Sequence, residues 1–450
     1  MRVEIKPSRL RGTVLAPPSK SMAHRLLICA GLSAGESVVR RLAFSEDVKA
    51  TIACLRALGA EIRLDGDTAW IRGANVREKL GKTAVLPCNE CGSTLRFFTP
   101  ICMLSSEERV LRGSPYLMTR PMTVYEDIAQ KQDIRFVHSD ESITVQGCLQ
   151  SGIYEVAGNI SSQFISGLLF ALPLLDGDSE IRILPPVESK PYIDMTVQAL
   201  NDCGIEIECK PPFGKGTPVG GMSEGQGGSR FRRGRWVGMG SDPEGLHNCS
   251  SESEQPIYKI KGNQQYRPAD VTVEGDYSNA AFFEALNYAG GTVGVEGLRA
   301  DSLQGDQVYK ILFEKIKSGE MPIDIADCPD LGPILFAVAA LCGGGEFTGT
   351  RRLRIKESDR ASAMQEELRK LGVTVEVGEN TVTVHDGALR APAEPLSGHG
   401  DHRIVMALAV LLTQVGGVID GAEAVRKSFP DFFEQLRRVG AEVNIYGMDQ

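Results

Sequence analysis

At six places in this chain a short polar stretch gives way to a helix-length apolar run, and an amphipathic segment and a strand-like one then follow. The polar openings are Ser19-Lys20-Ser21, Cys91-Gly92-Ser93-Thr94, Ser161-Ser162-Gln163, Asp276-Tyr277-Ser278, Asp327 to Asp330, and Asp401-His402-Arg403. Behind them lie Leu26 to Leu32, Phe97 to Leu104, Phe164 to Leu175, Ala280 to Leu286, Leu331 to Leu341 and Ile404 to Leu412. A helix that is apolar on every side must be buried. Its N-terminus then presents unpaired N–H groups and partial positive charge, which suit anions. Repetition at long period predicts a fold assembled from copies of one supersecondary block.

The second helix of each block ends on a recurring signal. Val48, Ile52 and Leu55 form an apolar stripe before Gly59, and Met364, Leu368 and Leu371 form one before Gly372. Leu200 likewise precedes Gly204, Phe313 precedes Gly319, and Leu436 precedes Gly440. Each Gly predicts a C-terminal stop. Strand-like alternation begins after it, as in Ala60 to Leu64 or Val373 to Val377. The Tyr125 to Phe136 copy has no such Gly.

With 450 residues there is room for two domains with full cores. The apolar runs stop short of the roughly 18 residues a membrane span requires. A formal charge of −9 argues against a general nucleic-acid binder. Met1 leads straight into strand-like Val3-Glu4-Ile5, so no export signal is expected. The 11 cysteines are odd in number and scattered through apolar stretches, which fits a reducing compartment and predicts a cytoplasmic protein. Cys88 and Cys91 form a lone C-x-x-C with no second pair and no neighbouring His, and His399 and His402 have no third ligand close by, so no metal is expected. From about residue 209 to 256 the chain is rich in Gly, Ser and Pro, and a mobile insertion is expected there. Its Arg230 to Arg235 patch is either a solvated loop or a contact for RNA or a partner, and the solvated loop is the favoured reading.

The densest chemical segment is Pro17 to Arg25. Ser19 suits a cap, and Ser21 and Arg25 are four apart on one helical face. Lys20 stands at the positive end of that helix, which is electrostatically wrong unless an anion is bound. Arg351 to Arg360 reads as the opening of an amphipathic helix, with Lys356 and Arg360 at i, i+4 and Glu357 among the cations. That cluster is either a surface ion-pair group or a site where a carboxylate exchanges a proton with substrate. Asp330 reads as the cap of a wholly apolar helix, as a base for a substrate hydroxyl, or as both. Arg96, Arg120, Lys190, Arg403 and Lys427 repeat the cationic theme, often beside hydroxyls. No G-x-x-x-x-G-K-[ST] occurs, so a nucleotide P-loop is excluded. What remains is a metal-free and cofactor-free site for small phosphorylated acids.

Pro18-Ser19-Lys20-Ser21, Gly92 to Arg96, Ser161-Ser162-Gln163, Ser189-Lys190-Pro191-Tyr192, Lys356 to Arg360, Asp401-His402-Arg403 and Lys427 to Pro430 follow one another in this order. Together they resemble the 5-enolpyruvylshikimate-3-phosphate synthases, also called 3-phosphoshikimate 1-carboxyvinyltransferases, within the enolpyruvyl transferases. The resemblance covers the chain apart from the insertion. It implies a two-domain inside-out α/β barrel of six βαβαββ repeats, three per domain, with buried central helices and the sheets outside. Residues 1–18 and 274–450 would form a discontinuous first domain and 19–273 the second, which carries the insertion. The implied reaction moves the enolpyruvyl group of phosphoenolpyruvate to the 5-hydroxyl of shikimate 3-phosphate, by addition and then elimination of phosphate.

Carried over by residue, the resemblance implies that shikimate 3-phosphate meets Lys20, Ser21, Arg25, Ser161, Ser162, Gln163, Ser189, Tyr192, Asp330 and Lys356. Phosphoenolpyruvate would meet Lys20, Gly92, Arg120, Gln163, Arg360, Arg403 and Lys427. Asp330 would be the base for the hydroxyl, and Glu357 would exchange the proton at carbon 3, with Lys20 as the competing candidate. Two such groups must be protonated oppositely at neutral pH, so different environments are expected for them. The chain departs from many members at Glu90 and Cys91 (Asn-Ala there), at Phe97 (Pro), and at Arg352 (Asn). A monomer acting on small molecules, with neither nucleic acid nor membrane as partner, is expected. The alternatives are a UDP-N-acetylglucosamine enolpyruvyl transferase or a non-catalytic anion-binding paralogue. The first carries a Lys-Asn pair and a Cys-bearing loop, whereas here Ser21 follows Lys20 and residues 112–120 hold no Cys. The second would have lost Lys20, Asp330 or Glu357.

Overall fold

Every one of the six apolar runs is a helix that starts at its polar opening: Lys20–Gly31, Gly92–Cys102, Ser162–Ala171, Tyr277–Ala285, Gly332–Leu341 and His402–Val415. The computed structural model describes residues 1–78, 80–210 and 256–447. Ser19, Cys91, Ser161, Asp276 and Asp401 each accept a hydrogen bond from a first-turn N–H. The helix Gly332–Leu341 differs, since its N-cap is Leu331 and no side chain caps it. Asp330 lies one residue earlier in a 3-10 turn, Pro329–Leu331, so its expected role as a cap is corrected and its carboxylate is left for other partners.

The predicted glycine stops sit where the chain must turn left-handed. Gly59, Gly204, Gly319, Gly372 and Gly440 all have φ between +74° and +102°. In the copy that lacks Gly, Asp133 takes the left-handed conformation at φ 54°, as Asp tolerates better than most residues.

Five four-stranded sheets share one plan. In the sheet Ala84–Asn89, Arg109–Gly113, Ser142–Gln146 and Arg135–His138, the first pair is parallel and the next two are antiparallel. The parallel pair is linked through a buried helix, as a β-α-β crossover requires. Two sheets are completed by distant strands. Asp270–Thr272 pairs with Glu36–Arg40, and the N-terminal Arg2–Ile5 lies between Gly417–Asp420 and Val443–Tyr446. The sixth block is reduced to the parallel pair Arg11–Leu15 and Thr292–Glu296. The sheets remain separate among the described residues and do not close into one barrel.

Burial divides into two apolar cores, one running from Met22 to Val273 and the other joining Val3 to Ala16 with Tyr277 to Val443. We call the bodies around them the second and first lobes. The insertion expected at about 209–256 falls almost wholly on 211–255, outside the described residues, and so does its Arg230–Arg235 patch. Its first residues are strand instead: Cys209 and Lys210 belong to Ile207–Lys210, which pairs antiparallel with Ile257–Ile260. No helix among the described residues is long and apolar enough to cross a membrane.

Candidate active site

Three helix starts of the second lobe face a pocket between the lobes. Lys20 and Ser21 open the first helix, and Arg25 lies one turn on. Arg25 donates to Ser21 O at 2.7 Å, Tyr192 O at 2.8 Å and Thr196 Oγ1 at 2.8 Å, so its guanidinium is held in the wall. Ser161 and Ser162 are buried at the start of another helix. Gln163 accepts from Arg96 Nη1 at 2.8 Å and donates to Ser93 Oγ at 2.9 Å. Ser189 is buried with left-handed backbone, φ 57°, a strained conformation of the kind that tends to mark functional sites.

Gly92 is required by close approach. A Cβ there would lie 2.2 Å from Arg120 Nη1 and 2.7 Å from its Cζ. Arg120 is 9% exposed and its Nε has no hydrogen-bond partner among the described residues.

The first lobe supplies an ion network. Asp330 pairs with Lys356 at 3.1 Å, Arg360 at 2.8 Å and Arg403 at 3.0 Å. Arg360 is 1% exposed and also grips Glu357 and, at 2.8 Å, Asp401. Asp401 in turn caps the His402–Val415 helix through Arg403 N. The expectation that Arg351 to Arg360 opens one helix is corrected: residues Arg351–Ile355 form a 3-10 turn, and the α-helix begins at Arg360 with Asp359 as cap. Lys356 and Glu357 therefore stand in the connection, free of helical phase, and reach the pocket from there.

All the residues expected at the site line this pocket except Arg360 and Lys427. Arg360 lies behind it, screened by the three carboxylates it serves. Lys427 lies in a neighbouring depression with Glu357 and Tyr116, and pairs with Glu90 at 2.5 Å. Hydrogen bonds cross between the lobes around the pocket. Tyr192 OH donates to Asp306 at 3.2 Å, Arg352 Nη1 to Ser189 Oγ, and Tyr116 OH to Lys356 O at 3.4 Å.

Seven cations line the pocket against three carboxylates, Asp47, Asp330 and Glu357, in a protein whose net charge is −9. Asp47 is the residue that sequence reasoning missed. It pairs with Lys20 at 3.0 Å and answers the apparent misplacement of that lysine. In sequence it looks like any acid in a helix first turn after a Ser cap, and only the packing of Glu46–Ala57 beside Lys20–Gly31 sets it apart.

Burial opposes the charge on Lys20, but the carboxylates of Asp47 and Glu357 outweigh it and raise the ammonium pKa. Burial likewise opposes ionisation of Asp330, yet Arg403, Lys356 and Arg360 hold it well below the usual carboxylate range. Glu357 is also held well below its usual range, because Arg360, His402, Lys20 and Arg120 overcome burial. Both acids are thus ionised, and the expected opposite protonation is corrected: each sits in a field of surplus cations. Lys356 is lowered to about 8, since burial and the neighbouring Arg352 and Arg360 outweigh Glu357 and Asp330, the latter shared among three cations.

Three side-chain groups among the described residues bring potential metal ligands together: His24 with Asp47 and Cys91, Glu357 with Asp401 and His402, and Glu366 with Glu367 and His399. In each, a carboxylate already pairs with Lys20, Arg360 or Lys370. A divalent ion would have to displace an ammonium or guanidinium, so the donor sets do not fit a resident metal.

The fold and the pocket define a two-lobed α/β protein with a cation-rich cleft flanked by two ionised carboxylates. A family model described as EPSP synthase (3-phosphoshikimate 1-carboxyvinyltransferase) matches residues 5–221 and 248–436. A 3-phosphoshikimate 1-carboxyvinyltransferase of Clostridium kluyveri is 36% identical, with 98% of each chain covered. One of Clostridium perfringens is 36% identical, with 97% of each covered. Among solved structures, an EPSP synthase of Acinetobacter baumannii superposes with a TM-score of 0.71 at 19% identity, covering 99% of this chain and 100% of that one. This chain belongs to the EPSP synthase family.

Proposed function

We propose that this protein transfers the enolpyruvyl group of phosphoenolpyruvate to the 5-hydroxyl of shikimate 3-phosphate and releases phosphate. The observation that carries this is the pocket itself, where surplus cations surround two carboxylates supplied by a single lobe. In the proposed assignment, Lys20, Ser21, Arg25, Ser161, Ser162, Ser189 and Tyr192 hold shikimate 3-phosphate, with Gln163 and Lys356 between the substrates. Gly92, Arg120, Arg403 and Lys427 surround phosphoenolpyruvate. Arg360 serves from behind, fixing Asp330 and Glu357.

Asp330, ionised and acceptor-only, takes the hydroxyl proton as the substrate oxygen bonds to carbon 2. Carbon 3 gains a proton in the addition step. In the elimination it gives one back as the carbon 2–phosphate oxygen bond breaks. Glu357 is ionised in the free protein, so it needs a proton before it can donate one. An incoming dianion beside Lys20 and Arg120 offsets the cations that hold its pKa down. Lys20 already carries a proton and is the alternative donor.

A coupled phosphate-release assay with both substrates tests the proposal. Release with shikimate 3-phosphate, and none with UDP-N-acetylglucosamine as acceptor, is expected. The reverse would assign the chain to the sister reaction, and no release with either would leave an anion-binding protein. The division into residues 1–18 with 274–450 and residues 19–273, a monomeric state and action in the cytoplasm belong to the same proposal. The last is supported by cysteines that are all free among the described residues. Size-exclusion chromatography tests the monomer.

A further inference from the structure

The cations expected to meet phosphoenolpyruvate differ in the anion they already hold. Lys20 holds Asp47, which is buried, and Arg403 holds Asp330, which two further cations fix. Lys427 differs. Its side chain is 16% exposed, and its partner Glu90 is 47% exposed. Glu90 lies in the turn between the strand Ala84–Asn89 and the helix cap Cys91, in the second lobe, whereas Lys427 belongs to the first. Lys427 also donates to Gly400 O at 2.7 Å. The ion pair at 2.5 Å therefore bridges the lobes beside the pocket, and its carboxylate is the one most free to swing into water.

From this geometry we propose that Glu90 is a specificity-determining residue that competes with phosphoenolpyruvate for Lys427. It occupies the lysine as an internal anion, and the substrate must displace it. The inference rests on the function proposed above, since it takes Lys427 as a phosphoenolpyruvate ligand. A half-exposed carboxylate is displaced at modest cost, so the competition tunes affinity without abolishing it. A ligand with a full negative charge at this position wins, while a neutral analogue faces both lost attraction and an intact ion pair.

The test is Glu90→Gln, with Glu90→Ala as a second variant in case the amide keeps a hydrogen bond to Lys427. Steady-state kinetics should show KM for phosphoenolpyruvate falling by about three- to tenfold. KM for shikimate 3-phosphate should stay within about twofold of the parent protein, because its proposed ligands line the main pocket, whereas Glu90 and Lys427 line the neighbouring depression. Adding Lys427→Met to Glu90→Gln should erase the gain. If Glu90 instead positions Lys427 for the substrate, both variants will raise KM for phosphoenolpyruvate, and that result overturns the proposal. An unchanged KM overturns it too.

Calorimetric titration of phosphoenolpyruvate onto parent and variant proteins separates this inference from the functional reading. If the parent protein releases no phosphate in the assay but Glu90→Gln still binds phosphoenolpyruvate more tightly, the reaction is wrong and the competition stands. If phosphate is released and binding is no tighter in the variants, the competition is wrong and the reaction stands. No binding heat in any of the proteins sinks the competition as well.

Discussion

The two faces of the cleft arrange their charges by different means. On the second lobe, hydroxyls, helix N–H groups and guanidiniums face the pocket, and Asp47 is the one carboxylate among them. On the first lobe, Asp330, Glu357 and Asp401 are knotted to Lys356, Arg360 and Arg403. Apart from Lys20, which pairs with Asp47, the second-lobe cations that line the pocket hold no carboxylate among the described residues, so an anion can settle beside them without breaking an ion pair. On the first-lobe face the cations are already engaged, and their effect is to hold two carboxylates ionised and in place. Under the proposed function, the second-lobe face grips, while the first-lobe face adds the base and the proton carrier to the grip of Arg403 and Lys427.

If that contrast holds, breaking the first-lobe network should do the most damage. Asp330→Ala should lower kcat in the phosphate-release assay by about 1,000-fold or more while the protein stays folded by circular dichroism. A loss under tenfold would remove Asp330 from the chemistry. Arg360→Met leaves Asp401 and Glu357 without their shared guanidinium. Denaturant unfolding should show a stability loss of about 3–5 kcal/mol, typical when one partner of a buried ion pair is removed.

The second-lobe face should yield smaller effects, confined to binding. Gly92→Ala places a methyl carbon where Arg120 now lies, and the flexible guanidinium must retreat. KM for phosphoenolpyruvate should rise by about tenfold with a lesser change in kcat, as expected when one charge-assisted contact is lost.

Lys356 joins the two faces and makes the contrast titratable. Its pKa of about 8 means that it is charged below that pH and neutral above it. Anion binding should therefore weaken as pH rises through about 8, giving kcat/KM an alkaline limb there. Lys356→Arg keeps its charge across that range. The limb should vanish in the variant even if its plateau is lower, and a limb that persists would belong to another group. The smallest effect is expected from Ser162→Ala, with KM for shikimate 3-phosphate raised by about five- to tenfold, the scale of one hydrogen bond, and stability nearly unchanged.

Much of the architecture was legible because burial and chain reversal leave local marks. Runs such as Leu331 to Leu341 can only be core helices, and Gly59, Gly204 and Gly372 turn where an L-side chain is strained. Asp133 was missed as the sixth stop, since Asp carries no such signal in isolation. The reduced block around Arg11–Leu15 was also invisible, because the pattern of helices there matches the full copies. At the site, the cations were found because Ser, Lys and Arg at helix starts are chemically conspicuous. Asp47, the pairing of Glu90 with Lys427 and the grip of Arg360 on Asp330 and Asp401 were not, because each joins residues distant in the chain.

The sequence alone determined which segments are buried, where helices begin and end, and which side chains carry charge, for these follow from local composition and periodicity. The tertiary structure decided which charges meet. Its packing paired Lys20 with Asp47 and Lys427 with Glu90, and it put Asp330 among three cations. Protonation follows from that placement, because the field at a carboxylate depends on distances across the fold and not on neighbours in the chain.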